Sequence, residues 1–304
     1  MGSNLVKALS KEHTVFGLDI IAPEKEGVVK TYSWEDLDAG LVPEVDGIVH
    51  LAGKAHDTKN QAAAEVYFKV NRDLTIKVFD YFSNNKGINK FIFFSTAKAA
   101  ADKVEGVLTE DVVPAPVGPY GESKIAAETY ILSTMKNRLF DFQGRGVYIF
   151  RPCMIHGPGN KGNLNLLYNV VRKGIPWPLG AFENRRTFTS VENICFAVNG
   201  VLTKDVPSGI YNMGDDEALS TNELIGEICK SLGKKAHIWK LPKGLMNGVA
   251  RVGGWLHLPL NPERLRKLTE NYISSNEKIK KALDVERMPV DAREGLKTTL
   301  ESFR

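Results

Sequence analysis

Gly118-Pro119-Tyr120-Gly121-Glu122-Ser123-Lys124, read with Phe91-Ile92-Phe93-Phe94-Ser95-Thr96 upstream, decides how the rest of the chain is understood. Proline has no N–H to lose and suits the first turn of a helix, so Pro119 marks a helix start. From Tyr120 through Ala126, Ala127 and Glu128 to Leu132 breakers are few, which predicts a helix carrying Tyr120 and Lys124. Four residues apart, these two side chains stack on one face. An ammonium beside a phenol favours the phenolate, which predicts a lowered pKa for Tyr120 and a part in proton transfer. Phe91–Phe94 is aromatic and β-branched, the pattern of a buried strand. It delivers Ser95 and Thr96 at its C-terminal end, where open α/β sheets bind ligands. A hydroxyl, a phenol and an ammonium converging there suit reaction at a secondary alcohol or its ketone.

Tyr-x-x-x-Lys alone is a weak signal, since a chain with nine tyrosines and many lysines yields roughly one by chance. The order gives it weight: strand, Ser-Thr, a loop containing Pro114 and Pro116, then the motif opening a helix. Thr14–Asp19 reads as an earlier strand. An acid at its end is where a dinucleotide fold holds the ribose hydroxyls and repels a 2′-phosphate, so Asp19 favours NAD over NADP. Val45–Gly53 is a further buried strand ending in small residues, with His50 read as a packed strand histidine. A long helix is expected from Gln61 to Phe82, with Asn71 in a structural role inside it; Gly146–Pro152 and Ala236–Trp239 read as further strands, and Ser220 or Thr221 as the cap of a later helix.

Taken together, these segments resemble the extended short-chain dehydrogenase/reductase family, in its NAD-dependent sugar-nucleotide epimerase/dehydratase branch. The resemblance covers almost the whole chain. It rests on His50-Leu51-Ala52-Gly53, Asn71, Ser95-Thr96-Ala97, Tyr120-Gly121-Glu122-Ser123-Lys124, Phe150-Arg151-Pro152 with Gly157-Pro158-Gly159, and Asn184 through Asn193. It implies an α/β fold: a Rossmann-like doubly wound parallel sheet with a smaller C-terminal α/β substrate domain. The division implied is 1–160 and 161–304, with a strand near 187–191 and the helix after it returning to the first part. It implies NAD held by Gly2, Asp19, Leu51, Ala52, Gly53, Lys54, Ser95, Tyr120, Lys124 and Pro152, with His56 and Asp57 near cofactor and substrate. The implied catalytic set is Thr96, Tyr120 and Lys124. Substrate contacts would come from Thr96, Asn163, Trp177 and Arg186, whose guanidinium fork suits a diphosphate. Trp177 could stack on uracil or pack in the core.

The chain departs from the family pattern in places. Met1–Leu9 looks like the last glycine of the Gly-rich turn (Gly2) and the helix after it, without the first strand and the earlier glycines. Either the chain begins at an internal Met, or it is a truncated paralogue that binds the dinucleotide poorly. Ala99-Ala100-Ala101-Asp102 replaces the usual aromatic-glycine pair, and Glu263–Asn271 replaces an Arg-x-Gly-Asp segment. The second change is closer to bacterial polysaccharide enzymes that include quinovosamine-type 4-keto reductases. Ala97-Lys98 stands where dehydratases of this family place an acidic pair, which ranks dehydration low.

Composition sets bounds. With 304 residues, 43% hydrophobic and 25% charged, the chain can bury a sizeable core. There is no apolar run of about eighteen residues, so no membrane span is expected. No basic-apolar-small run is read near the start, so a signal segment is not expected. The net charge of +4 is modest and its basic residues are interleaved with acids, which argues against nucleic acid. Cys153, Cys195 and Cys229 are too few and scattered for a disulfide framework or a zinc site. The expectation is a cytoplasmic, metal-free homodimer: an NAD-dependent UDP-hexose or UDP-N-acetylhexosamine 4-epimerase of surface polysaccharide synthesis. A UDP-4-keto-sugar reductase is the alternative, and a non-catalytic nucleotide-binding protein the alternative from another class.

Overall fold

A computed structural model describes residues 1–21, 24–55, 63–160, 162–256 and 260–303. The chain opens with α1 (Gly2–Leu9), the short strands β1 (Gly17–Leu18) and β2 (Thr31–Tyr32), and α2 (Trp34–Asp38). Next come β3 (Gly47–His50), α3 (Ala64–Phe68), a π-helical turn at Lys69–Asp73, α4 (Leu74–Asn84) and β4 (Lys90–Phe94). They are followed by α5 (Ala97–Ala100), β5 (Val107–Leu108), α6 (Pro119–Asn137), β6 (Gly146–Pro152), β7 (Met154–His156) and α7 (Asn163–Arg172). Then come β8 (Phe188–Ser190), α8 (Val191–Thr203), β9 (Gly209–Met213) and α9 (Thr221–Ser231). The last elements are α10 (Lys243–Trp255), α11 (Pro262–Thr269), β10 (Ile273–Ser274), α12 (Glu277–Leu283) and α13 (Ala292–Glu301).

The central sheet is parallel, in the order β3-β4-β6-β9. Parallel neighbours need long crossovers, and the helices that make them cover both faces, so the middle strands are apolar on both sides. The alternation is visible residue by residue. Phe91 and Phe93 of β4, with Val147 and Ile149 of β6, pack against Phe79, Phe82, Ala127 and Ile131 of α4 and α6. Ile92, Phe94, Tyr148 and Phe150 face the other way, onto Leu5 and Leu9 of α1 and Ile194, Val198 and Val201 of α8. A separate core joins α7, α9, α10, α11 and α13 through Leu164, Ile228, Met246, Leu265 and Leu296. The architecture is thus α/β with a parallel sheet, as the sequence predicts.

Two expected strands are shorter or absent as strands. Of Thr14–Asp19 only Gly17–Leu18 pairs, because its one partner is β2, and that pair is not joined to the central sheet among the described residues. The strand expected at Ala236–Trp239 reduces to isolated bridges, Ile238 with Trp177 and Lys240 with Leu179. Helix caps follow the sequence closely: Ser220 caps α9 in a reciprocal box with Glu223.

Asp215, just after β9, ties the sheet to the elements that follow it. Its buried carboxylate accepts from the backbone N–H of Ser190 (2.9 and 3.1 Å), from the Ser190 hydroxyl (2.9 Å) and from Asn193 Nδ2 (2.8 Å). His156 Nε2 lies 3.4 Å from the same group, while its Nδ1 is 2.9 Å from Thr299 Oγ1. Replacing Asp215 by Ala strands several buried donors at once. The expected cost is about 2–4 kcal/mol, read as a lower urea midpoint at unchanged m-value.

Candidate active site

Helix α6 begins where the backbone has to turn sharply. Gly118 sits at φ +85°, a conformation that side chains resist, and Pro119 follows as the first helical residue. The buried face of α6 is Gly121, Ser123, Lys124, Ala127, Glu128 and Ile131, so a lysine and a glutamate one turn apart lie in an otherwise apolar or small-residue stripe. β4 delivers Thr96 in an extended conformation, and its hydroxyl accepts from the Lys98 N–H at 3.3 Å to cap α5. The Tyr120 phenol lies close enough to the side chain of Thr96 to feel it. Burial raises the Tyr120 pKa above its ordinary 10.0; the Thr96 side chain works against that rise, and Tyr67 adds to it. The acidification expected from Lys124 is not what the geometry gives. Sequence spacing put the two on one face, but the ammonium is bonded at the end of β4.

There Lys124 Nζ donates to the carbonyl of Phe94 at 2.7 Å and lies 4.8 Å over the ring of Phe93. Burial pulls its pKa from 10.5 down to about 8, against the opposing charge of Glu128. Gly53 forms the opposite wall: a Cβ there would lie 3.0 Å from Nζ and 3.1 Å from Asn71 Oδ1. Asn71, in the π-helical turn, accepts from the Lys54 N–H at 2.7 Å and donates to the Lys54 carbonyl at 3.1 Å and to Ser123 Oγ at 2.9 Å. Ser123 Oγ in turn donates to the Tyr120 carbonyl at 2.9 Å. An extra residue in the helix re-aims side chains, which is why π-turns gather at sites. His50 is packed, as expected from the sequence. Its ring stacks beside Phe91 and Phe93 and contacts Thr75 Oγ1 at 3.0 Å, and burial, with Lys124 nearby, drives its pKa down to about 3.

Ser95 departs from its expected place at the cofactor. Its hydroxyl donates to Glu128 Oε1, and Glu128 is held by Arg151, whose Nη2 lies 2.5 Å from Oε2 and whose Nε lies 3.1 Å from both oxygens. Both charged side chains are buried. Ser95 therefore belongs, through its side chain, to the support beneath the site. Sequence reasoning missed Glu128, although a charged residue in a buried helical stripe was a usable signal. It also missed Tyr67 of α3, which acts on Tyr120 and lies 5.7 Å under Lys54 Nζ. No pattern in the sequence marked it.

The other expected contacts are spread around this centre. Gly2 lies against Leu51, its would-be Cβ 3.7 Å from a methyl carbon. Asp19 is exposed at the end of β1, its carboxylate accepting from the Ile20 N–H. Ala52 is half-buried after β3, Pro152 is buried at the end of β6, and Asn163 is exposed at the start of α7. Trp177 is buried in the core shared by α7, α9, α10, α11 and α13, so of its two expected roles the packing one is found. Arg186 donates to the Lys267 carbonyl; burial lowers its pKa, with Glu270 opposing. Near it Lys98 and Arg266 both hold Asp102 at 3.2 Å. His56 and Asp57 lie outside the described residues.

The chain matches the NAD dependent epimerase/dehydratase family over residues 1–214 and belongs to that family. It is 32% identical to the UDP-glucose 4-epimerase of Vibrio cholerae over 64% of this chain and 59% of the relative. It is 27% identical to the N-acetyl-alpha-D-glucosaminyl-diphospho-ditrans,octacis-undecaprenol 4-epimerase of Escherichia coli O157:H7, over 91% of this chain and 77% of the relative. The chain thus spans less than two thirds of the first of these and more of the second. Its fold is similar to that of the UDP-glucuronic acid 4-epimerase of Bacillus cereus in complex with NAD, with a TM-score of 0.73 at 21% identity, covering 99% of this chain and 94% of that one.

Lys124 gives the site a pH signature. Its folded pKa lies below the ordinary 10.5, so between about pH 8 and 10.5 the unfolded chain binds more protons and stability rises with pH across that window. Urea titrations should show native protein gaining stability there relative to Lys124→Met. Equal pH slopes for the two proteins would refute the lowered value.

Proposed function

We propose that this chain is an NAD-dependent UDP-sugar 4-epimerase acting on a hexose or N-acetylhexosamine. The observation that carries the reading is the juxtaposition of the Thr96 hydroxyl and the Tyr120 phenol, with Lys124 held at the end of β4 against Gly53. The residues fit the cofactor. Gly53 leaves a wall that any side chain would fill, and Phe94 O is the one acceptor among the described residues for an ammonium with three donors. Gly53, Lys54 and Lys124 would hold a nicotinamide ribose, and Gly2, Leu51 and Asp19 the rest of the dinucleotide. Bound NAD supplies hydride acceptance and return at the sugar carbon.

The chain's own residues handle the oxygen. Thr96 orients the carbinol hydroxyl and Tyr120 moves its proton, with Lys124 anchored behind them on the Phe94 carbonyl. Arg186 offers its guanidinium to the diphosphate. Ala97-Lys98 after Thr96 offers no acid–base pair for loss of water, which weighs against dehydration. Tyr120, with its pKa raised, is held as the neutral phenol that protonates a ketone oxygen. That favours, as the second reading, a UDP-4-keto-sugar reductase using the same residues. Synthesis of surface polysaccharide precursors in the cytoplasm, by a homodimer, is the setting we assign.

Tyr120→Phe removes the proton carrier and leaves the packing, so turnover should fall about 10²–10⁴-fold while the thermal midpoint stays close to that of the parent. Near-full activity would remove Tyr120 from the chemistry. Mass spectrometry of UDP-sugars incubated with protein and NAD or NADH separates the two readings. A new isomer of unchanged mass means epimerase; a keto sugar gaining two hydrogens means reductase; no product with any sugar leaves only a binding protein.

A further inference from the structure

The C-terminal part of the chain carries an apolar surface that the catalytic reading does not use. Helix α10 buries Met246, Ala250 and Gly253 on one side. At helical spacing on the other side stand Leu245, Val249, Val252, Trp255 and, just past the helix end, Leu256, with exposures of 54, 47, 54, 80 and 52%. Five large apolar side chains on one helix face form the kind of contiguous patch that soluble surfaces rarely leave uncovered. Trp239, in the segment leading into the helix, is also 54% exposed.

Charge around this face is one-sided. Residues 230–267 contain nine lysines and arginines against a single acid, Glu263, whereas the whole chain carries only +4, so the remainder of the protein is net acidic. Lys235, Lys240, Lys243 and Arg251 make no ion pair among the described residues. Both Lys243 and Arg251 belong to α10: Arg251 borders the apolar arc next to Trp255, whereas Lys243 lies on the opposite side, over the ring of Phe182.

We propose that α10 is an interfacial docking helix that seats this protein on an anionic lipid surface, its apolar face at the acyl boundary and its basic neighbours at the headgroups. The combination required is an amphipathic helix with tryptophan and aliphatic residues on one face and cations beside them. The basic segment then draws the face toward negative lipid, while the net acidic remainder of the chain is repelled from it, which orients the molecule. A second copy is a poorer occupant. A two-fold contact over this face sets each basic segment against its own image, and like charges facing one another oppose association. The docking is peripheral: among the described residues no helix is long and apolar enough to cross a membrane. The inference rests on surface residues and stands whichever sugar the active site takes.

The test is co-sedimentation of the full chain with phosphatidylcholine vesicles, with and without phosphatidylglycerol. The expected result is binding to the phosphatidylglycerol vesicles that weakens with added salt and is accompanied by a blue shift of tryptophan emission. Val252→Asp and Trp255→Ser, both at exposed positions and checked for folding by circular dichroism, should each lower partitioning about tenfold or more. Arg251→Glu should weaken it only with anionic vesicles. Failure of the parent to bind phosphatidylglycerol vesicles overturns the proposal, as does binding that Val252→Asp leaves intact. So does a dimer in sedimentation velocity that Val252→Asp dissociates while vesicles capture nothing, since that outcome assigns the face to a second copy.

Discussion

A lysine ammonium buried at the end of a parallel sheet is the constraint around which this site is built. Taking such a charge out of water costs several kcal/mol unless neighbours compensate. Lys124 is compensated by the Phe94 carbonyl, the face of Phe93 and the carboxylate of Glu128 one turn along the same helix. Glu128 in turn needs Arg151 from β6, and the Ser95 hydroxyl completes its shell. One charge requirement therefore links α6 to two adjacent strands, and the positions of Thr96 and Tyr120 follow from that linkage. The compensation is incomplete: Lys124 sits well below its ordinary pKa, and Arg151 Nη1 has no hydrogen-bond partner among the described residues.

Where the sequence was legible, local pattern and tertiary outcome coincided. Phe91–Phe94 and Gly146–Pro152 are apolar on both faces because both faces are covered, and they form the strands expected of them. Pro119 opens α6 and Ser220 caps α9 for reasons contained in a few neighbouring residues. Thr14–Asp19 and Ala236–Trp239 have strand-like composition, but a strand is defined by its partner, and composition names none. The same limit applies at the site. Helical spacing correctly brings Tyr120 and Lys124 to one side, yet it cannot say that the longer side chain ends at the Phe94 carbonyl. The sign of the Tyr120 shift was lost there. Glu128 was readable as a charge in a buried stripe, whereas Tyr67 arrives from a helix far away in sequence and left no mark.

The family relationship and the geometry bear on different questions. Membership of the NAD dependent epimerase/dehydratase family covers residues 1–214, the part that contains the central sheet and Thr96, Tyr120 and Lys124. The segments after it, where α9, α10 and α11 pack with α7 and α13, lie beyond that match. Basic residues are denser there, and the exposed apolar face of α10 lies there.

Asn71 carries a mechanical consequence. A single primary amide clasps the backbone of Lys54 on one side and, through Ser123, the first turn of α6 on the other. The loop after β3 and the helix bearing the phenol are thereby yoked, so neither can swing without dragging its counterpart. Any displacement of Gly53 and Lys54 is transmitted to Tyr120 as a change of aim, which makes this amide the coupling rod between the two walls of the cleft.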